Sequence, residues 1–136
     1  MKPRHINQYK IENETFLKRK SQEEGVVTLD GGITMKCLRK GEGSVSPSLN
    51  GIVYVHYTGR LIDGTVFDTT EGEPLPALFH IRELIEGWQI ALTMMHAGDI
   101  YEVCLPAKYG YGSRKVDGIP AHSTLVFDME LVSVER

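Results

Sequence analysis

The stretch LIEGWQIALTMM, residues 84–95, predicts the one amphipathic helix in the compact part of the chain. Glycine readily adopts the left-handed conformation that terminates helices, so we expect this helix to end at Gly98. Gly87 precedes the single tryptophan, and its missing side chain would let the helix begin close to neighbouring backbone while the indole faces inward. Apolar residues recur on one side at helical spacing: Leu84, Ile85, Trp88, Ala91, Leu92 and Met95.

Short segments with alternating apolar residues lie on both sides of this helix and predict β-strands. Asp63-Gly64 predicts a tight hairpin turn between two of them, because both positions tolerate positive φ. Several antiparallel strands with a single helix packed across one face predict an α+β domain. The strand segments are GITMKCLRK (32–40), GIVYVHYTG (51–59), the second half of RLIDGTVFDTT (60–70), and the alternating residues of 101–105 and 125–131.

The N-terminal arm, residues 1–24, differs in composition from the domain that we place at residues 25–136. A helix-like piece over residues 14–24 ends at a glycine. Its one clustered apolar pair, Phe16 and Leu17, makes a weak apolar stripe. The arm can therefore dock on the domain, dock on another chain or fray, and the sequence leaves these alternatives open.

Composition and charge argue against several function classes. The net charge of −3 and the pI near 5.9 arise from interspersed acids and bases, so a nucleic-acid footprint or a polybasic membrane anchor has no support. No apolar run approaches the roughly 18 residues of a membrane-spanning helix. The start, MKPRHINQYKIENETF (1–16), lacks an apolar stretch of signal-peptide length, which favours a cytoplasmic location. Export by a signal that has since been removed is the alternative.

Local motifs for metal or nucleophilic chemistry are missing from the sequence. The five histidines show no paired ligand spacing, and Cys37 and Cys104 form no CxxC motif. There is no GxSxG elbow, P-loop or GxGxxG fingerprint, so we expect neither a metal nor a cofactor. What remains is a set of aromatic residues that either pack in a core or form a flat aromatic floor. They are Tyr57, Phe67, Trp88, Tyr111 and Phe127.

Four segments together resemble the successive signatures of the FKBP-type peptidyl-prolyl cis-trans isomerases. They stand in the family's order and near its spacing, over roughly residues 30–136. The upstream segment 23–43 also resembles the lead-in to this domain in bacterial members of the macrophage-infectivity-potentiator kind. This resemblance implies a curled antiparallel sheet wrapped around one short helix. The four segments are VHYTGRLIDGTVFDTT (55–70), LIEGWQIALTMMHAGD (84–99), KYGYG (108–112) and IPAHSTLVFDMELVSV (119–134).

The resemblance also implies a proline-binding pocket with a role for each residue. Trp88 would be the floor on which a substrate proline ring rests, while the backbone N–H of Ile85 and the hydroxyl of Tyr111 would each bind a carbonyl. Asp68 would place its carboxylate close to the twisting amide, and it can also bond to Tyr57 or to backbone as an ordinary strand-end acid. The resemblance implies catalytic roles for Asp68, Tyr111 and Phe127, and substrate binding by Tyr57, Phe67, Leu84, Ile85, Trp88 and Ile119, the last closing the pocket from the loop side.

Three departures from the family pattern limit what carries over. Ala77 stands where some relatives have an aromatic residue, so one wall should be lower and the binding of macrolides of the tacrolimus or rapamycin kind weaker. The loop 112–119 has its own basic sequence, so the identity of a protein partner does not carry over. The arm is far shorter than the dimerising helices of the infectivity-potentiator relatives, which favours a monomer.

The function implied by the resemblance is peptidyl-prolyl cis-trans isomerisation of proline-containing polypeptides in assistance of protein folding. One alternative is a non-catalytic proline-binding chaperone or interaction module that uses the same pocket. Another is an assembly protein that acts through its N-terminal arm. A catalyst accelerates exchange at sub-stoichiometric amounts, whereas binding alone only shifts populations. The complete set of pocket residues favours catalysis.

Overall fold

Seven β-strands form one antiparallel sheet in the computed structural model, which describes residues 6–135. The sheet order is β1-β2-β6-β7-β3-β4, and β5 pairs with β3. Residues 1–5 of the predicted arm, His5 among them, and Arg136 lie outside the described residues. The strands are β1 (Val26–Thr28), β2 (Thr34–Arg39), β3 (Ile52–Arg60), β4 (Val66–Thr69), β5 (Ala77–His80), β6 (Ile100–Leu105) and β7 (Leu125–Glu135).

Strand β3 organises the sheet because it pairs on both of its edges. One edge pairs with β7 from Ile52 to Arg60. The other edge is shared, with β5 opposite residues 52–55 and β4 opposite residues 58–60. The register shifts between Gly59 and Arg60 in the pairing with β4, and such irregularities bend strands and increase twist. The predicted curled antiparallel sheet of an α+β fold is thereby confirmed.

Helix α2 (Glu86–Thr93) packs in the hollow of this sheet. It is shorter than the predicted helix, because Ile85 is extended (φ −57°, ψ 151°) and the helix ends at Thr93, well before Gly98. A Cβ on Gly87 would lie 2.5 Å from both methyl carbons of Leu105 on β6. The close approach expected at Gly87 is therefore present, but the neighbour is a side chain of the core and not backbone. The core between helix and sheet includes Val53, Val55, Ala91, Leu92, Val103, Leu125 and Met129, all fully buried.

The Asp63-Gly64 turn joins β3 to β4 as predicted, but it is wider than a two-residue turn. The Leu61 N–H donates to the Thr65 carbonyl at 2.9 Å, and the Gly64 N–H donates to the Leu61 carbonyl at 3.0 Å. Gly64 has φ of 91°, whereas Asp63 does not adopt positive φ. The Asp63 Oδ1 instead accepts a hydrogen bond from the Thr65 N–H at 2.9 Å. Only one of the two residues thus uses the backbone freedom on which the prediction relied.

The arm forms helix α1 (Ile6–Ser21), which begins earlier and ends earlier than the predicted piece over 14–24. Among the three alternatives, the structure shows docking on the chain's own domain. Asn13 is only 2% exposed, and the Lys20 ammonium lies 2.9 Å from the Glu102 carboxylate on β6. Neither α1 nor any other helix within residues 6–135 combines the length and apolar character needed to cross a membrane.

Candidate active site

A cavity of about 330 Å³ opens between the concave face of the sheet and the start of α2. Its lining includes every site residue implied by the resemblance except Ile119, and it adds Phe79 and Glu83, which sequence reasoning missed. The lining residues are Tyr57, Phe67, Asp68, Phe79, Glu83, Leu84, Ile85, Trp88, Tyr111 and Phe127.

Trp88 forms the floor of the cavity, and three rings meet it at steep angles. The ring centroids of Tyr57, Phe127 and Phe79 lie 4.9, 5.2 and 5.4 Å from the indole, with interplanar angles of 88°, 89° and 79°. Edge-to-face pairs of this kind contribute about 0.5–1.5 kcal/mol each beyond their buried area. The floor is therefore held in one orientation by its walls, before any ligand arrives.

The wall formed by Phe67 and Phe127 depends on a glycine behind it. The two rings pack edge to face, with centroids 5.7 Å apart and an interplanar angle of 85°. A Cβ on Gly59 of β3 would lie 2.7 Å from Phe127 Cε1 and 2.7 Å from Phe67 Cζ. Only a residue without a side chain leaves both rings where they are.

Tyr57 and Asp68 form a short hydrogen bond at the edge of the cavity. The Tyr57 hydroxyl donates to Asp68 Oδ2 at 2.6 Å. Burial, followed by this hydrogen bond and the nearby carboxylate charge, raises the pKa of Tyr57 well above its ordinary value. The phenol is therefore protonated at neutral pH and fixes the carboxylate at the cavity edge. Asp68 is thus bonded to Tyr57, as the strand-end interpretation predicted, and its carboxylate still lies beside the cavity.

At the rim of the cavity, the Ile85 N–H and the Tyr111 hydroxyl have no acceptor among residues 6–135. The 3₁₀ turn Ile81–Glu83 presents the first one, because Leu84 closes that turn and Ile85 follows in extended conformation. The Leu84 carbonyl accepts a hydrogen bond from Gln89 Nε2 at 2.8 Å, which ties the rim to α2. Both donors are available to bind carbonyl groups of a peptide.

Ile119 and Ala77 are not among the residues that line the cavity. Ile119 is 5% exposed and belongs to the same buried cluster as Trp88 and Phe127, and its N–H and carbonyl both bond to Val116. Ala77 does not line the cavity either, and Phe79, two residues along the same strand, supplies an aromatic wall. A four-residue strand that follows two prolines carries little periodic signal, which is why β5 has no counterpart among the predicted strands.

The chemistry available in the cavity is that of binding and orientation. The lining contains aromatic and aliphatic side chains, two carboxyl groups and two phenols, and none of its residues is a serine, cysteine, lysine or histidine. Within the described part of the chain, no group of three or more histidine, cysteine, aspartate or glutamate side chains is arranged to hold a metal ion. The arrangement can hold an apolar ring against Trp88 and direct two donors at flanking carbonyls.

Comparison with known proteins gives a consistent result. Residues 43–132 match the family described as FKBP-type peptidyl-prolyl cis-trans isomerase. The "Outer membrane protein MIP" of Legionella longbeachae is 41% identical over 128 residues, which cover 93% of this chain and 54% of that protein. The FKBP-type 22 kDa peptidyl-prolyl cis-trans isomerase of Escherichia coli K12 is 40% identical over 120 residues, covering 88% and 58%. The chain thus spans about half the length of these curated relatives.

Two solved structures share the fold over most of this chain. A peptidyl-prolyl cis-trans isomerase from Pseudomonas syringae superposes with a TM-score of 0.89 at 32% identity and covers 100% of both chains. FkpA from Escherichia coli gives the same TM-score and identity, and the match covers 95% of this chain and 60% of FkpA.

Proposed function

The chain belongs to the FKBP-type peptidyl-prolyl cis-trans isomerase family, and on that premise we propose that it accelerates rotation about Xaa-Pro bonds in polypeptides. The observation that carries this proposal is a cavity of about 330 Å³ with a rigid indole floor, aromatic walls and two unused donors at its rim. A proline ring fits the floor, and the donors suit the carbonyls on either side of it.

The physical basis of the acceleration is removal of the amide from water. Resonance opposes rotation about the C–N bond with a barrier of about 18–20 kcal/mol, and no covalent bond has to break. Water favours the planar, charge-separated amide, so an aromatic cavity lowers its advantage over the twisted form. Each ~1.4 kcal/mol of preferential binding of the twisted state gives about tenfold in rate. Proline is the suitable residue because its cis form lies only about 0.5–1 kcal/mol above trans.

The polar groups of the cavity have two separate roles, binding the flanking carbonyls and stabilising the twisted amide. The Ile85 N–H and the Tyr111 hydroxyl hold the flanking carbonyls while the central amide turns. A twisted amide no longer shares the nitrogen lone pair with its carbonyl carbon, which becomes more electron-poor and is favoured by a nearby negative charge. Asp68, fixed by Tyr57 at 2.6 Å, supplies that charge.

NMR exchange on a short Xaa-Pro peptide, with the protein at catalytic amounts, tests the proposal. The wild type should accelerate exchange, and Phe127→Leu, which shortens a wall without emptying the core, should lower kcat/KM. Val66→Ala, at an exposed position on β4 beside Phe67, is the matched control and should match the wild type. Asp68→Asn tests the carboxylate separately. Unaccelerated exchange with a folded wild type would instead establish the non-catalytic proline-binding module.

Macrolides of the tacrolimus or rapamycin kind are proposed to occupy the same cavity. Phe79 supplies the wall that faces Trp88, but Ala77 on the same strand stands where some relatives have an aromatic residue, so we expect weak binding. Competition against the Xaa-Pro peptide, comparing wild type with Ala77→Phe, measures this. Tighter macrolide binding by Ala77→Phe would support the assignment, and unchanged binding would contradict it.

Oligomeric state and location are each tested by a separate measurement. We propose a monomer, because α1 docks on the chain's own domain, and sedimentation equilibrium tests this. One relative carries the name of an outer membrane protein, so the locations to distinguish are cytoplasmic and exported. Fractionation of cells expressing the natural gene distinguishes cytoplasm from exported locations.

A further inference from the structure

Helix α1 is tied to the segment Ser123–Thr124 by three polar contacts. The Thr124 N–H donates to Asn13 Oδ1 at 2.7 Å, and the Thr124 hydroxyl donates to the Asn13 carbonyl at 3.3 Å. The hydroxyls of Tyr9 and Ser123 lie 2.8 Å apart. Asn13 and Thr124 are 2% and 1% exposed, so water cannot replace these hydrogen bonds. A buried donor or acceptor left without a partner costs about 1–3 kcal/mol.

The Asn13 side chain is fixed at both ends of its amide. While Oδ1 accepts from Thr124, Nδ2 donates to the Tyr9 carbonyl one helical turn earlier at 2.8 Å. The orientation of the amide is therefore determined, and the position of the Thr124 backbone follows from the position of the helix. No local pattern reveals this contact, because the two residues are 111 positions apart.

Thr124 stands at the base of the loop that separates two cavity residues. Phe127 follows it by three positions, and at the other end of the loop Tyr111 directly precedes Gly112. The base is closed where the His122 N–H donates to the Gly112 carbonyl at 2.9 Å. His122 has φ of 64°, a conformation that a non-glycine residue keeps only where its surroundings hold it. The anchor on α1 is adjacent to this constrained position.

The attachment of α1 does not come from continuous packing. A second cavity, of about 610 Å³, opens between the helix and the domain and is lined by Asn13, Gly112, His122 and Thr124, among others. The helix is fastened at the Tyr9–Asn13 end by the contacts above and near its other end by the ion pair of Lys20 with Glu102. Loss of the first fastening therefore frees the loop base on one side.

We propose that α1 is a positioning element of the active site and that Asn13 is its positioning residue. The inference rests on the proposed isomerase function. Asn13 holds Thr124, Thr124 and His122 hold the loop base, and the loop base sets where the Tyr111 hydroxyl and the Phe127 ring stand. The arm is then part of the isomerase unit, although residues 1–24 differ in composition from the domain.

The test compares variants that release the two fastenings of the same helix. Asn13→Ala removes the acceptor for Thr124, Asn13→Asp retains an oxygen in that position, and Tyr9→Phe removes the contact with Ser123. Lys20→Met is the matched control, because it breaks the ion pair with Glu102 away from the loop. Unfolding by denaturant measures the stability of each variant, amide hydrogen exchange reports on Thr124, and NMR spectra report on Tyr111.

The proposal predicts that Asn13→Ala lowers kcat/KM about tenfold in fully folded protein, since small displacements of orienting groups cost up to about 10²-fold. Thr124 exchange should quicken and the Tyr111 resonances should shift, while Asn13→Asp should recover only part of the rate, because it keeps the acceptor for Thr124 and loses the donor to the Tyr9 carbonyl. Lys20→Met should lose stability with kcat/KM unchanged.

The proposal fails if Asn13→Ala keeps kcat/KM within twofold of wild type, or if Lys20→Met slows catalysis equally. An inactive wild type overturns the proposed function instead, and the Tyr111 shift still decides whether Asn13 positions the loop: a shift supports it and unchanged spectra contradict it.

Discussion

The wall formed by Phe67 and Phe127 should fail when Gly59 acquires a side chain. An alanine Cβ would lie 2.7 Å from a carbon atom of each ring. Carbon atoms in contact stand about 3.5–4.0 Å apart, so one or both rings must move by about 1 Å. The strand backbone lies behind the new Cβ, which directs the rings toward the cavity.

The magnitude follows from two opposing effects. Overpacking of a well-filled site costs about 1–3 kcal/mol, and the reduced freedom of the unfolded chain returns about 0.4–1 kcal/mol for a Gly→Ala change. We expect Gly59→Ala to lose about 1–2 kcal/mol of stability, because the steric cost exceeds the gain. Catalysis should fall more steeply, by roughly 10- to 100-fold in kcat/KM, because a 1 Å misplacement at a reacting site can cost 10²-fold.

The assay is peptide isomerisation at a temperature where every variant is folded, alongside unfolding in guanidinium chloride. Gly43→Ala is the control: its Cβ would lie 2.6 Å from the Ala97 carbonyl oxygen, and neither residue lines the cavity. It should lose stability and keep kcat/KM. If Gly59→Ala is destabilised but isomerises the peptide at the wild-type rate, the two rings do not shape the catalytic site and the reasoning is refuted.

Two further predictions concern groups away from the cavity. Burial alone would raise the pKa of Asp99, but hydrogen bonds from the backbone N–H groups of His96 and Gly41 outweigh it and lower that pKa. The ionised Asp99 therefore stabilises the folded state fully above its unfolded-state pKa of 3.8, and this stabilisation is lost as pH falls through the lower folded-state pKa. Asp99→Asn should lower the free energy of unfolding by about 1–3 kcal/mol at pH 7, measured with denaturant. Its difference from wild type should shrink below pH 3.8. Burial raises the pKa of the Cys104 thiol to about 11, whereas Cys37 is exposed. A thiol reagent at pH 8 should therefore modify only Cys37 until the protein is unfolded. Rapid modification of both thiols in the native state would contradict this prediction.

The fold was predictable where an element carries a clear periodic pattern of apolar residues in its own sequence. The apolar stripe ending in Met95 and the alternation of β7 produce periodic patterns that survive burial, and the glycine before Trp88 indicated a close contact. The wide turn after β3 was not predictable in detail, because Asp63 accepts a hydrogen bond from the Thr65 N–H and only Gly64 adopts positive φ. A dipeptide preference does not encode that choice.

The candidate site was predictable as far as the family signatures extend, and the misses have a common cause. Phe79 belongs to a four-residue strand whose pairing with β3 is set by residues 52–55, so its place in the wall follows from the sheet and not from its own segment. Ile119 was assigned to the cavity because it stands in a family segment, but it is absent from the lining, and its place depends on the fold of a loop in which its N–H and carbonyl both bond to Val116. Asn13 gave no signal at all, because a polar residue on a weakly amphipathic helix is ordinarily solvated.

The unpartnered indole N–H at the cavity floor is consistent with the proposed binding of a proline ring. Trp88 Nε1 is buried without a hydrogen-bond partner among the described residues, and such groups are uncommon in folded proteins. Three rings pack against the indole edge to face, and none of them places an acceptor on the N–H. The fold thus accepts the loss of one hydrogen bond and retains a flat, fixed surface at the bottom of the cavity. A ligand recognised by hydrogen bonding at the floor would favour an indole N–H that is open to the cavity. A proline ring needs only shape complementarity and dispersion at the floor. The carbonyls beside the ring can form their hydrogen bonds at the rim, where Ile85 and Tyr111 provide donors.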